Sequence, residues 1–464
     1  MNNTKSTKLG SKLWLQILLF GIIGQIAWMV ENMYFATFAQ NLFDNPSFGN
    51  MYYIATTLMV VFSALTATIT TIFIGGLVDR LGKRKVFISF GYILWGVTIM
   101  IFAAIPTVFG SEKAGGVMAM LVIFDCIMTF FGSTAYDAAF NTWLTDITDV
   151  TNRGKVDSVL SMLPVIGMVI AVFVAMFTFD KGKENALMYQ LFFIILGILP
   201  IVVGIISIFT LHDSSNIVKN SNSTYLKDTF YGFNIKVIKE NKYMYIALTC
   251  LCLLGISQQV YMSYLLNFIQ RTLGITDYIL PAGGLIVIAG LITATVGVLY
   301  DKKGRKHFYM PLLFANILST LIIYLMKFMP KESYIGVFIV FGGIMLGTSL
   351  SLFAALMASF QDYIPEGYEG RFQGIRMVFA VLIPMIIGPI ISLAIGINSF
   401  DSQDATMLTP PFEIYLASSI VALVVIIPMI FVRKDADNLR NSLLNKEKMV
   451  SVDIPLRLDD KDNN

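Results

Sequence analysis

Three carboxylates stand inside otherwise apolar stretches of this chain: Glu31, Asp125 and Asp137. An ionisable group at lipid depth costs roughly 2.5–3.5 kcal/mol on insertion scales, so each is a candidate for function. Asp137 has polar company at helical spacing, with Tyr136 adjacent, Ser133 one turn before and Asn141 one turn after. Glu31 neighbours a stripe of Gln25, Trp28 and Asn32. Amides beside an aromatic ring suit a sugar, whose hydroxyls need hydrogen bonds and whose apolar face stacks on rings. The alternative for these residues is polar glue between helices, but a carboxylate is a costly form of glue. A further cluster, Gln258, Gln259, Tyr261, Tyr264 and Asn267, offers the same chemistry from the second half of the chain. The expected substrate contacts are therefore Trp28, Asn32, Tyr136, Asp137, Asn141, Gln258, Gln259 and Tyr264, and the expected ion-coupling groups are Glu31, Asp137 and Asp125. On a straight helix Asp125 and Asp137 stand about 120° apart in azimuth and about 18 Å apart in height, too far to share one sugar-sized site.

Other chemistries have little support. The two histidines, His212 and His307, sit at the ends of apolar runs, and the three cysteines, Cys126, Cys250 and Cys252, lie within them. No nucleophile–base pair, metal-ligand spacing or phosphate-binding loop occurs, so neither an enzyme nor an ATP-driven pump is expected, and no cofactor or metal. A net charge of +3 leaves no nucleic-acid footprint.

These residues need elements that hold them in lipid. The 464-residue chain is 56% hydrophobic and 14% charged, against about 25% charged in soluble domains. Runs long enough to cross a bilayer fall at 13–39, 52–78, 86–105, 116–145, 157–178, 189–211, 243–270, 279–299, 308–328, 334–360, 370–396 and 413–432. With both termini in the cytoplasm, 27 of the 33 Lys and Arg fall on the inner side, which fixes the orientation. The expectation is an all-α membrane protein of twelve transmembrane helices: an N-terminal bundle over 1–211, a cytoplasmic loop over 212–242, a C-terminal bundle over 243–432 and a disordered cytoplasmic tail over 433–464. Pro164, Pro200, Pro384 and Pro389 are read as breaks within helices that allow bending.

The halves repeat. Gly75-x-x-x-Asp79-Arg80-x-Gly82-Lys83-Arg84-Lys85 follows the second run, and Gly297-x-x-x-Asp301-Lys302-x-Gly304-Arg305-Lys306 follows the eighth. Asp146 with Arg153-Gly154 and Asp362 with Gly370-Arg371 form a second pair at nearly the same offset. Matches in the same orientation imply two parallel six-helix repeats. Gly82 and Gly304 permit tight turns, and the basic residues hold each loop at the anionic inner leaflet.

The doubled loop resembles the signature of the major facilitator superfamily. Within it, Tyr136-Asp137, Thr145-Asp146, Arg153-Gly154 and Gly370-Arg371-Phe372-Gln373-Gly374 resemble the glycoside–pentoside–hexuronide group, relatives of the melibiose carrier. The resemblance implies a gating relay at the inner face, assigned here to Asp79, Arg80, Gly82, Arg153, Asp301, Lys302, Gly304, Arg305 and Arg371. It also implies that an aspartate on the fourth helix, here Asp137, binds sugar. Two features depart from that group. The second run has no acid, only Thr56, Thr57, Ser63, Thr66, Thr68, Thr70 and Thr71, and no basic residue sits at mid-depth in the fifth or eleventh run, Arg376 lying near the cytoplasmic start of the latter. A lone carboxylate on the first run, no acid on the second and no histidine at lipid depth favour a proton over sodium, with Glu31 as first carrier and Asp137 as second.

The reading is a monomeric, multi-pass carrier in the cell membrane that moves a sugar or glycoside by alternating access, with a coupling cation and the bilayer as its partners. Carriage of amphipathic, lipid or drug-like molecules by the same fold is the alternative, given 25 Met and 36 Phe. A membrane sensor or intramembrane enzyme lacks a soluble domain or a catalytic constellation.

Overall fold

The computed structural model describes residues 9–452 apart from 44–50, 106–113, 149–155, 157–158, 161, 180–185, 214–230, 276, 304, 364–371 and 399–408. Apolar side chains at nearly every position over about 20 residues make a helix that is stable only when lipid or other helices surround it. The described residues hold twelve such helices and no strand. They are α1 (Ser11–Leu42), α2 (Met51–Leu81), α3 (Arg84–Phe102), α4 (114–147), α5 (Leu163–Thr178), α6 (Ala186–Thr210), α7 (Lys242–Met262), α8 (Ile279–Lys303), α9 (Lys306–Leu325), α10 (Tyr334–Asp362), α11 (373–398) and α12 (Glu413–Val452). Ten are long and apolar enough to span by length alone; α5 and the apolar part of α8, Pro281–Gly297, are shorter. Large apolar side chains such as Phe73, Phe177 and Phe209 stand exposed on the outside of the bundle, as a lipid-facing surface requires.

Two expectations are corrected. Pro164 sits in the first turn of α5 and begins the helix rather than breaking it, because that turn has no amide partner to lose; Pro200 and Pro389 do lie inside helices. The segment expected to be a disordered tail continues α12 as far as Val452. Its residues from Arg433 to Val452 contain no Gly or Pro and are rich in helix formers.

Within the first half, α3 and α6 make the closest pairing. A Cβ on Gly96 would strike the carbonyl of Gly197, so only small residues allow this approach, and Ser207 donates to Ser89 at 2.5 Å across it. The halves meet along α2 against α11 and α5 against α8. Taking outer and inner as the Lys and Arg bias assigns them, one apolar core joins the first half to the outer ends of α7, α8, α9, α10 and α12. The inner ends of the second half pack around a separate core. Apolar packing is thus continuous between the halves at the outer end and divided at the inner end.

Four helices leave α-geometry at specific points. Wider π turns occupy Val30–Tyr34 in α1, Ser133–Phe140 in α4 and Val378–Leu382 in α11. In the continuation of α7, a turn at 263–264 precedes a π segment at Phe268–Thr272. Such segments are frequent at functional sites, and they carry Glu31, Asn32, Tyr136 and Asp137.

Candidate functional site

Glu31 lies in the π turn of α1, between α2 and α4. Its Oε1 accepts a hydrogen bond from Ser63 Oγ of α2 and another, at 3.2 Å, from Thr129 Oγ1 of α4. Thr129 Oγ1 also lies 3.2 Å from Ser63 Oγ. Three helices therefore converge on one carboxylate oxygen. Glu31 and Asp125 line one small cavity together with Asn32, Thr56, Met59 and, from the second half, Ser263 and Met385. Asp125 is 1% exposed. Among the described residues, no Lys, Arg or His lines this cavity.

Asp137 occupies a second polar level on the same helix as Asp125. The π stretch from Ser133 intervenes, so azimuths computed for a straight helix do not carry from one to the other. Tyr136 is buried and its hydroxyl accepts from Gln25 Nε2 at 2.9 Å, which ties α4 to α1. Across the divide, Arg376 of α11 lies within electrostatic reach of Asp137. Both side chains are half-buried, the carboxylate in the first half and the guanidinium in the second. The sequence places Arg376 near the cytoplasmic start of its run; the packing of α11 against the first half brings it within electrostatic reach of Asp137.

The remaining expected contacts separate. Trp28 packs on Trp95 with ring centroids 5.2 Å apart, and the Asn32 amide donates back to the Trp28 carbonyl at 2.7 Å. Asn141 is exposed and donates to the Asp137 carbonyl at 3.1 Å. In α7, the Gln258 side chain accepts from Ser349 of α10 at 3.3 Å. Gln259 keeps a buried Oε1 with no protein partner. Tyr264 is placed elsewhere, at the outer joint, where its ring meets Tyr52 and Tyr53 of α2. Asn267 donates to the Tyr52 hydroxyl at 2.7 Å beside it, and Tyr53 donates to the Thr409 carbonyl at 2.8 Å. These contacts join the halves at their outer ends.

At the inner end, Gly82 takes φ +66°, a left-handed conformation that strains any residue with a Cβ. The tight turn that follows buries Arg84, which donates from Nε to Asp146 Oδ2 at 3.0 Å and from Nη1 to the Val78 carbonyl. Arg84 thereby fastens the start of α3 to the ends of α2 and α4. In the second half, Arg305 donates to Ser359 Oγ of α10 at 3.4 Å, and Ser359 also bonds Tyr309. Arg84 and Arg305 thus make corresponding cross-helix contacts, although the sequence singled out Arg305 and not Arg84. The side chains of Asp79, Arg80, Asp301 and Lys302, and the residues Arg153, Gly304 and Arg371, lie outside the described residues.

The family profile of the Major Facilitator Superfamily matches residues 13–389, so the chain belongs to that superfamily. Several solved structures share the fold. A D-xylose–proton symporter aligns with TM-score 0.69 at 13% identity, covering 90% of this chain and 96% of its own. A point mutant of the nucleoside transporter NupG aligns with TM-score 0.66 at 16% identity, covering 90% and 99%. A bacterial homolog of the human lysosomal transporter Spinster, in an inward-facing and unoccupied conformation, aligns with TM-score 0.65 at 12% identity, covering 93% and 99%. A search of curated protein sequences gave no significant match. The chain is a membrane transporter.

Proposed function

We propose that the protein is a secondary active transporter of the cell membrane. It carries a small polar solute, a sugar or glycoside, between its two six-helix halves, and it is coupled to a cation through Glu31. The observation that carries this reading is the convergence of α1, α2 and α4 on the Glu31 carboxylate beside a cavity that also touches the second half. A charge placed there can alter the packing between halves, which is what coupling requires. The polar level of Gln25, Tyr136, Asp137 and Arg376 supplies hydrogen-bonding groups of both kinds for a hydroxylated solute. The resemblance of the symporter and nucleoside-transporter folds supports a polar cargo, and the choice of a sugar rests on the motif resemblance around Asp137.

The test is uptake of a panel of radiolabelled mono- and disaccharides into proteoliposomes under an imposed pH gradient. Wild-type protein should accumulate at least one sugar. Glu31→Gln, which mimics the protonated form, should exchange that sugar across the membrane without concentrating it. Accumulation of no sugar, with concentrative uptake of an amphipathic cargo instead, would sink the reading.

A further inference from the structure

The segment that leads into α7 from the loop between the halves is a tight turn at Tyr231–Phe233 followed by a short helix at Ile235–Glu240. One side of it is fastened to the second half. Val237 is buried in the inner core together with Phe372 and Ile375 from the start of α11. Gly232 is buried against the same two residues, and a Cβ there would meet Ile375 at 2.9 Å. The Gly232 carbonyl accepts from the Tyr245 hydroxyl of α7, and Asn241 donates to the Val237 carbonyl at 3.0 Å. Asn234 caps the short helix by accepting from the Lys236 amide at 2.9 Å.

The other side is apolar and basic. Ile235 is 70% exposed and Ile238 36%. At 100° per residue, Ile235, Ile238 and Lys239 share a sector about 100° wide on the side away from Val237. Lys236, Lys239 and Lys242 are all exposed. Lys236 meets Glu240 only at 4.0 Å, in an exposed pair of the kind that contributes little. Exposed isoleucines among lysines are the pattern of a helix lying in a membrane interface, with apolar side chains in the acyl boundary and ammonium groups at the headgroups. The Lys and Arg bias puts this end of α7 at the inner leaflet, which is anionic. A helix this short would not order itself on a membrane, but the contacts of Val237 and Gly232 already hold it in place.

We propose that the segment Ile235–Lys242 is a docking surface for anionic phospholipid of the inner leaflet, and that lipid bound there regulates transport. Ile235 and Ile238 enter the boundary of headgroups and acyl chains, and Lys236, Lys239 and Lys242 hold the phosphates. The segment packs on Phe372 and Ile375, and the next residue is Arg376, the cation within reach of Asp137. Lipid that steadies this segment steadies the start of α11. The surface itself is independent of the proposed cargo; its effect on uptake rests on that reading.

The experiment attaches a nitroxide spin label to Ile235→Cys in the full-length protein, with Cys126, Cys250 and Cys252 replaced by alanine. The protein is reconstituted into vesicles of phosphatidylcholine, with or without phosphatidylglycerol. In the anionic vesicles the label should become severalfold more accessible to oxygen, which partitions into lipid, relative to a water-soluble nickel chelate. Lys236→Gln, Lys239→Gln and Lys242→Gln together should abolish that difference, as should high salt. A label equally open to the chelate in both kinds of vesicle would overturn the docking surface. A label equally shielded in both would also overturn it, giving this face to packing within the protein. This readout needs no solute, so it fails separately from the transport reading. Sugar uptake by the wild type should be severalfold faster in the anionic vesicles, and the triple variant should lose that gain while matching the wild type in neutral ones. Wild-type uptake indifferent to phosphatidylglycerol would overturn the regulatory link to α11.

Discussion

In the proposed transport cycle, Asp137 would serve both solute and conformational change. Its carboxylate is half-buried, next to Tyr136, and lies within electrostatic reach of Arg376 of the other half. A hydroxylated solute entering between the halves can accept from the guanidinium and donate to the carboxylate, replacing part of their mutual attraction. Asp137→Asn should therefore weaken sugar binding by about 1.5–3 kcal/mol for each charge-assisted hydrogen bond lost, measured by calorimetry on the purified protein. An unchanged affinity would place the solute elsewhere. Arg376→Gln should weaken binding in parallel, and Arg376→Lys should restore less than half of it, because an ammonium lacks the planar fork of donors. Gln25 offers a separate check. Its amide holds Tyr136 in place at 2.9 Å, so Gln25→Leu should lower affinity indirectly, while Tyr136→Phe at the same contact should cost less, since the ring and its packing on Phe140 remain.

At the scale of elements, the inner loop after α2 gives the clearest link from sequence to geometry. The repeated Gly-x-x-x-Asp-x-x-Gly spacing marked Gly82 as a tight turn, and its φ of +66° is what that turn needs. Gly82→Leu should cost about 1–2 kcal/mol in backbone strain alone and slow transport while leaving the protein in the membrane. Arg84→Ala should act at the same place by releasing Asp146, at a cost of about 1.5–3 kcal/mol for a charged hydrogen bond, and should make the inner end of α4 more protease-sensitive. Full transport in both variants would remove this loop from the gating cycle. The helices themselves were legible because apolar runs of bilayer length admit few other structures. Helix count and order follow the apolar runs closely, and the carboxylates inside those runs drew attention to Glu31. The π turns were not legible, since they change only the pitch of a helix whose composition stays apolar. That is why Arg376 and the oxygens around Asp125 emerge only from the packing. Tyr264 shows the converse. Its type suits a sugar site, yet α7 breaks beside it and turns its ring onto Tyr52 and Tyr53.

For the whole molecule, the distribution of packing defines the conformational state. The halves share one apolar core at the outer end and keep a distinct core at the inner end of the second half, so the outer face is closed. Closure depends on close contact between the outer ends of α2 and α11. A Cβ added at Gly396 would collide with the ring of Tyr53, whose hydroxyl is bonded to the Thr409 carbonyl just before α12. Neither partner can retreat without breaking that bond or lifting α11 away from α2. Gly396→Leu should therefore disfavour the closed outer face and shift the population toward a state open to the outside. Most of the contacts that hold each half together lie away from this joint, so the variant should still fold. With Cys126, Cys250 and Cys252 replaced by alanine, a cysteine at Asn267, buried in the closed joint, reports the change. It should react with a membrane-impermeant maleimide at least severalfold faster in the Gly396→Leu background than in its absence. Transport should fall, because a carrier that cannot close outward cannot complete its cycle. Gly396→Ala, with a smaller intrusion, should lie between the two. Equal labelling rates in all three would mean that the α2–α11 contact does not hold the outer face shut, and closure would then fall to the packing of α1 on the segment that follows α7.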